Sequence, residues 1–245
     1  HVGGTLKIHE PEAISVWKDN RILSKTDAGG KIADDVSREP FKPREKPRYL
    51  RPKPISPPPV IDGRMSPDEW PTGSISLNER TTQRSVRGAP TSVKIHADDT
   101  HVYILTNVVT MFPDQRKLGV QWGKDEGVEL ILEEKEGDAS TVHVLRGFSD
   151  GSFAGHNVAG ASSEQATRFA ELVQYGASVD KTIWRSEWAV PLAALGVGVG
   201  QKKVVPFNLT VYRSEDDVFA QYAGTLGETW DLERGGRLML NWESA

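Results

Sequence analysis

The sequence predicts an all-β protein, an antiparallel β-sandwich of jelly-roll type with an extended N-terminal arm. Three observations predict it. Beyond residue 59 the apolar residues fall into runs of strand length, rich in β-branched and aromatic residues and separated by Gly, Asp and Pro turns. Helical periodicity is scarce, and many short strands with little helix bury their apolar faces by closing into two packed sheets. Eight of the fifteen prolines lie between Pro40 and Pro59, which marks a boundary between arm and sandwich.

Taken in order, residues 1–39 are polar, with too few apolar side chains to close a core. They read as an arm or as the tail of a neighbouring module. Lys42-Pro43-Arg44-Glu45-Lys46-Pro47, Arg51-Pro52-Lys53-Pro54 and Pro57-Pro58-Pro59 follow. Proline fixes φ and removes donors, so this stretch reads as a semi-rigid basic spacer. The division expected is 1–59 for arm and linker and 60–245 for the sandwich. Ser66-Pro67-Asp68-Glu69-Trp70 carries a capping hydroxyl, an early proline and a glutamate three residues on, which predicts one or two helical turns. Trp70 closes that turn and is expected to cover one end of the sandwich.

Strands are predicted at 93–97, 101–109, 128–132, 141–148, 170–175, 183–190, 204–212, 219–223 and 237–242. In the second of these, Tyr103 and Leu105 share one face while Val102, Ile104 and Val108 share the other. A short helical turn is expected from Pro191 to Leu195, ended by Gly196. Trp188 belongs to an apolar strand and is assigned to the core.

Charge separates the two parts. Residues 1–60 carry twelve Lys/Arg against eight Asp/Glu, and residues 61–245 carry eighteen against twenty-six. The sandwich is therefore acidic, which argues against nucleic acid as its partner. No apolar run approaches the ~18 residues of a membrane helix, so no membrane insertion is expected. The absence of cysteine excludes disulfides and thiolate chemistry.

No G-x-S-x-G, Walker or H-E-x-x-H motif is present, and Gly196-Val197-Gly198-Val199-Gly200 lacks the strand-then-helix context of a dinucleotide loop. The carboxylate pairs Asp98/Asp99, Asp125/Glu126 and Asp216/Asp217 sit in turns, where acidic residues serve as turn formers. No one of them stands out as an acid–base couple. His1 could chelate copper with a second histidine such as His96, His101 or His143.

Two of the seven tryptophans lie in polar surroundings: Trp122 in Gln121-Trp122-Gly123-Lys124-Asp125-Glu126, and Trp230 in Glu228-Thr229-Trp230-Asp231. An indole there offers a broad apolar face on which the axial C–H bonds of a sugar can pack. Neighbouring carboxylates such as Glu126, with Asn or Gln side chains, would bond the hydroxyls.

Several motifs occur in an order that points the same way. Pro59-Val60-Ile61-Asp62-Gly63 precedes Asp68-Glu69-Trp70, and Val93 to Ala97 leads into Asp98-Asp99-Thr100-His101-Val102-Tyr103-Ile104. Gly127-Val128-Glu129-Leu130-Ile131-Leu132, Glu187-Trp188-Ala189-Val190-Pro191, Pro206-Phe207-Asn208-Leu209 and Gly236-Arg237-Leu238-Met239-Leu240 follow. This series resembles the family 9 carbohydrate-binding modules, with DOMON-like sandwiches as relatives, over about residues 57–242.

The resemblance implies a non-catalytic, extracellular, periplasmic or cell-surface module, of a kind found appended to glycoside hydrolases. Such a module clamps the terminal sugar of a gluco- or xylo-type oligosaccharide between two tryptophans, here Trp122 and Trp230. Polar contacts are implied for Glu129, for His143 and its strand, and for Asn208 and its strand. Structural calcium is implied too, with acidic loop residues as candidates. The family pattern also places an arginine near His143, a glutamine near Thr210 and an arginine on the 219–222 strand, none of which is evident in those places. Two other readings stay open: a structural or interaction module with a degenerate sugar site, or a haem-binding sandwich using Met65, Met111, His143 or a lysine.

Overall fold

The computed structural model describes residues 14–18, 21–26, 42–86, 88 and 90–241. The chain divides into two compact units, His1–Pro43 and Arg44–Ala245. The first contains an antiparallel hairpin, β1 (Ile14–Lys18) with β2 (Arg21–Thr26), whose register shifts between Val16 and Trp17. His1 and Trp242 lie outside the described residues.

The second unit is a sandwich of two sheets. Its strands are β3 (Arg48–Leu50), β4 (Lys53–Pro54), β5 (Ile75–Ser76), β6 (Thr91–Ala97), β7 (His101–Val109), β8 (Gly127–Glu136), β9 (Ala139–Phe148) and β10 (Phe153–His156). The helix α1 (Ser163–Leu172) comes next, then β11 (Gln174–Val179), β12 (Ile183–Pro191), β13 (Lys203–Arg213), β14 (Val218–Gln221) and β15 (Gly236–Leu240). Sheet one runs β10-β9-β8-β13-β15-β3, with β14 also paired to β13. Sheet two runs β11-β12-β7-β6-β4, with β5 also on β6. The expected sandwich is present. It is not wholly antiparallel, because β3 joins β15 and β4 joins β6 in parallel.

Period-two alternation assigns the faces. Val102, Ile104 and Val108 meet Trp184, Trp188, Leu130, Leu209 and Val211 in the core between the sheets. Tyr103 and Leu105 point the other way and pack with Ile55, Trp70 and Ala189 on the outer face of sheet two. Trp70 thus covers a sheet face, not an end of the sandwich.

The proline-rich stretch departs most from expectation. The compact unit begins at Arg44, and β3 and β4 lie inside the segment read as a spacer. Proline is tolerated on an edge strand, where its missing N–H need not serve the ladder. Arg44 donates to both oxygens of Glu79 at 2.8 and 2.9 Å, Arg48 adds a third contact at 3.3 Å, and Ile55 is buried.

Two further elements differ. Residues 66–70 form a turn instead of a helix: Glu69 Oε2 still accepts from Ser66 N at 3.0 Å, but Asp68 is left-handed at φ 65° and breaks the spiral. Residues 170–172, expected in a strand, end α1. That helix carries a true capping box, with Gln165 N donating to Ser162 Oγ and Ser162 N to Gln165 Oε1. The 3₁₀ turn Leu192–Leu195, ended by left-handed Gly196, is where it was expected.

Glu187 explains two of the sequence motifs at once. It is wholly buried on β12; one oxygen accepts from Asp62 N and Gly63 N at 3.0 and 2.8 Å, the other from Trp70 Nε1 at 3.0 Å. Gly63 (φ 76°) must be glycine, because a Cβ would come within 2.2 Å of the Ala177 backbone. The I-D-G turn, the tryptophan and the E-W strand therefore form one clasp over sheet two.

Two outcomes follow. A chain beginning at Val60 loses β3, β4 and Ile55, and its unfolding free energy should fall by about 3 kcal/mol or more, measured by urea denaturation. Burial pushes the Glu187 carboxyl up to about 7, against the pull of its N–H donors. A raised acid favours the folded state below its unfolded value and loses that contribution as it ionises. Between pH 4.5 and 7 stability should therefore decline with rising pH, by up to about 3 kcal/mol from this group. Glu187→Gln should remove that part of the slope.

Candidate functional site

The strand registers place one polar row across four strands of sheet one. Arg146 of β9 faces Glu129 of β8, Glu129 faces Thr210 of β13, and Thr210 faces Gln221 of β14. Directly opposed residues share a face. This face is turned away from the core, since Val128, Leu130, Leu209 and Val211 point inward. One flanking row holds Gly127, Tyr212 and Phe219; the other holds Ile131, Val144, Asn208 and His156. At ~3.3 Å per residue these outer rows stand ~13 Å apart with the polar row between them.

Each indole stands over one outer row. Trp122 rests on Gly127, where a Cβ would meet the ring at 3.1 Å, and has an edge contact with Phe219 at 5.7 Å and a tilted one with Tyr212 at 6.5 Å between centroids. Trp230 packs on Ile131, Val144 and Leu232. Both are half-buried. The Arg146 guanidinium lies 5.1 Å from the Trp122 centroid and 6.0 Å from that of Trp230, within cation–π reach of both.

Glu129 organises this arrangement. It is completely buried; one oxygen accepts from Arg146 Nε at 2.8 Å and the other from the Thr229 hydroxyl. One carboxylate thus holds both the arginine and the loop that presents Trp230. Burial pushes its pKa up, while the Thr229 hydroxyl and Arg146 pull it back.

The same face has unspent hydrogen-bonding capacity. Thr210 Oγ1, both amide atoms of Gln221 and His156 Nε2 are buried without a partner. Such groups are uncommon in native interiors. Burial, and then the charge of Arg146, lowers the His156 pKa.

The other residues singled out from sequence are placed as follows. Asn208 lies on this face with its amide already engaged: it accepts from Ala223 N and donates to the carbonyls of Ala223 and Thr229, which fixes the root of the Trp230 loop. Glu126 is buried beside the face, where Oε1 accepts from Ser214 N and Oγ at 2.8 Å each. His143 is on the opposite side of the sheet, opposed to core residue Leu132. It stacks on Phe169 at 3.9 Å, meets Glu134 at 2.8 Å, and borders a cavity of about 440 Å³ under α1. No methionine lines that cavity, and Met65 and Met111 are exposed in separate loops.

Sequence reading missed Arg146, Gln221, Thr229 and His156; Thr210 lies on the strand of Asn208, where polar contacts were expected. The arginine sought near His143 is three residues on, where alternation turns it to the outer face. A glutamine does neighbour Thr210, but across the β13–β14 hairpin and not along the strand.

Among the described residues no three His, Asp or Glu side chains are grouped to hold a metal ion. Asp98 Oδ1 instead accepts from Thr100 N and His101 N, Asp150 from Ser152 N, and Asp125 from Gln121 N.

Solved structures share this architecture. A family 9 carbohydrate-binding module from Caldicellulosiruptor kristjanssonii in complex with glucose superposes with a TM-score of 0.58 at 16% identity, over 80% of this chain and 97% of the other. A complex of a family 9 module from the same organism with cellotriose gives 0.57 at 16%, over 81% and 95%. The sandwich has the family 9 carbohydrate-binding fold. A Bacteroides uniformis protein described as carbohydrate-binding gives 0.51 at 15%, over 79% and 99%. No protein-family model and no curated protein sequence matches the chain. No described helix is long and apolar enough to cross a membrane.

Removal of the Glu129 carboxylate should loosen the Trp230 loop. Glu129→Ala leaves Arg146 without its counter-charge and should cost about 3 kcal/mol in chemical denaturation. Hydrogen exchange at Thr229 and Trp230 should quicken in the same variant.

Proposed function

We propose that this protein is a non-catalytic carbohydrate-binding module that holds the terminal sugar of a gluco- or xylo-type oligosaccharide between Trp122 and Trp230. One observation carries this reading: two half-buried indoles stand on either side of a polar row that retains unspent donors and acceptors. The indole faces would pack on the axial C–H bonds of the ring. Arg146 uses its Nε for Glu129, so its Nη groups are free to donate to sugar hydroxyls. Glu129 and Thr229 hold those donors and the Trp230 loop in place, and His156 borders the same face. Two neighbours in fold were solved with glucose and with cellotriose, which supports a sugar of that type.

The complete burial of Thr210 and Gln221 favours a second reading, a structural or interaction module in which the site is closed to sugars. Calorimetry and tryptophan fluorescence with glucose, cellotriose and xylotriose separate the two. Binding should be measurable, and Trp122→Ala or Trp230→Ala should each weaken it at least about tenfold, or roughly 1.4 kcal/mol. No response to any of these sugars would leave the structural reading.

A further inference from the structure

A second site lies on the other sheet, at the free edge of β6. β5 covers that edge at Val93 and Ser92, and β4 covers it at His96 and Ala97. Between these two short strands Lys94 and Ile95 have no strand partner on that side among the described residues. The gap opens as a slot of about 160 Å³, floored by β6 and walled by residues 50–53 and 73–75.

The slot is cationic. Arg51, Lys53, Lys94 and His96 line it, and none of its lining residues is acidic. Among the described residues neither Lys53 nor Lys94 forms an ion pair. Lys94 Nζ donates to the carbonyls of Pro71 and Trp70 at 2.7 and 3.3 Å, which fixes its position without neutralising it. Lys53 Nζ lies over Gly73, where a Cβ would stand only 3.2 Å from it. His96 is 2% exposed, makes an edge contact with Trp70, and leaves its buried Nδ1 without a partner. Burial lowers its pKa, and the charges of Lys94 and Lys53 push it the same way against the backbone of Lys53 and Pro54.

Two lysines lining one slot with no acidic neighbour in its lining give an oxyanion a favourable place to bind. We propose that the slot between β4 and β5 binds a single oxyanion group (sulfate, phosphate or carboxylate) through Lys53 and Lys94, with His96 at its floor. The group would come either from a free inorganic anion or from a sulfate or uronate substituent on a glycan. The site belongs to sheet two and does not depend on the Trp122–Trp230 reading.

Titration of the full chain with inorganic phosphate, with sulfate and with a uronate-bearing oligosaccharide, followed by two-dimensional NMR, tests it. Shifts should concentrate on the amides of Lys53, Gly73 and residues 94–96, and the His96 pKa should rise once an anion offsets the lysine charges. Lys53→Gln should weaken binding at least fivefold with an unchanged melting temperature. Trp122→Ala should leave it unaltered. Tighter binding of the oligosaccharide than of the free anions identifies a glycan substituent as the source; equal or weaker binding identifies the free anion. Shifts spread over all the basic residues, or identical binding by Lys53→Gln, would overturn the proposal.

Discussion

The buried carboxylate of Glu129 is the constraint from which the candidate site follows. A charge with no solvent exposure must be compensated where it lies. Here Arg146 from the neighbouring strand and Thr229 from a distant loop provide the compensation. The arginine is thereby held against both indoles, and the loop carrying Trp230 is fixed to the sheet. Asn208 reinforces the same loop two residues along β13. The candidate site thus follows from satisfying one charge on the outer face of the sheet, whose inner face packs on the core.

Glu187 plays the corresponding part on sheet two, with a different result. Its partners are two backbone amides and a tryptophan, so the arrangement ties the I-D-G turn and Trp70 to the sheet. The comparison separates two uses of buried carboxylates in one fold. Where the donors are rigid backbone, the outcome is a clasp. Where one donor is an arginine, its guanidinium is held against two indoles.

The motifs that were readable in the chain are mainly those of the clasp and the core. I-D-G, E-W, D-D-x-x-x-Y and E-W-x-x-P are local runs whose spacing reflects turns and cross-strand contacts that any chain of this fold must make. The polar residues around the indoles were not readable in this way. Arg146 and Gln221 occupy their places through pairing register, and a register links residues far apart in sequence. Helix α1 was missed although Ser162 and Gln165 spell a capping box, because its apolar end merges into the run that continues as β11. The proline-rich stretch reads as a spacer because composition describes a free chain and not one in which Arg48–Leu50 and Lys53–Pro54 pair with strands of the two sheets.

The sequence by itself determined the two-layer architecture, the two faces of the 101–109 strand, the core place of Trp188 and the two indoles set in polar loops. These rest on alternation and on local turn chemistry, which act over a few residues. Only the tertiary structure decided that the sandwich begins at Arg44, that His143 and Glu129 lie on opposite faces of one sheet, and that Arg146 stands against both Trp122 and Trp230. Only it opened a cationic slot at the edge of β6. Each of these depends on which strands pair and in what register, and that is settled by the burial of the whole core.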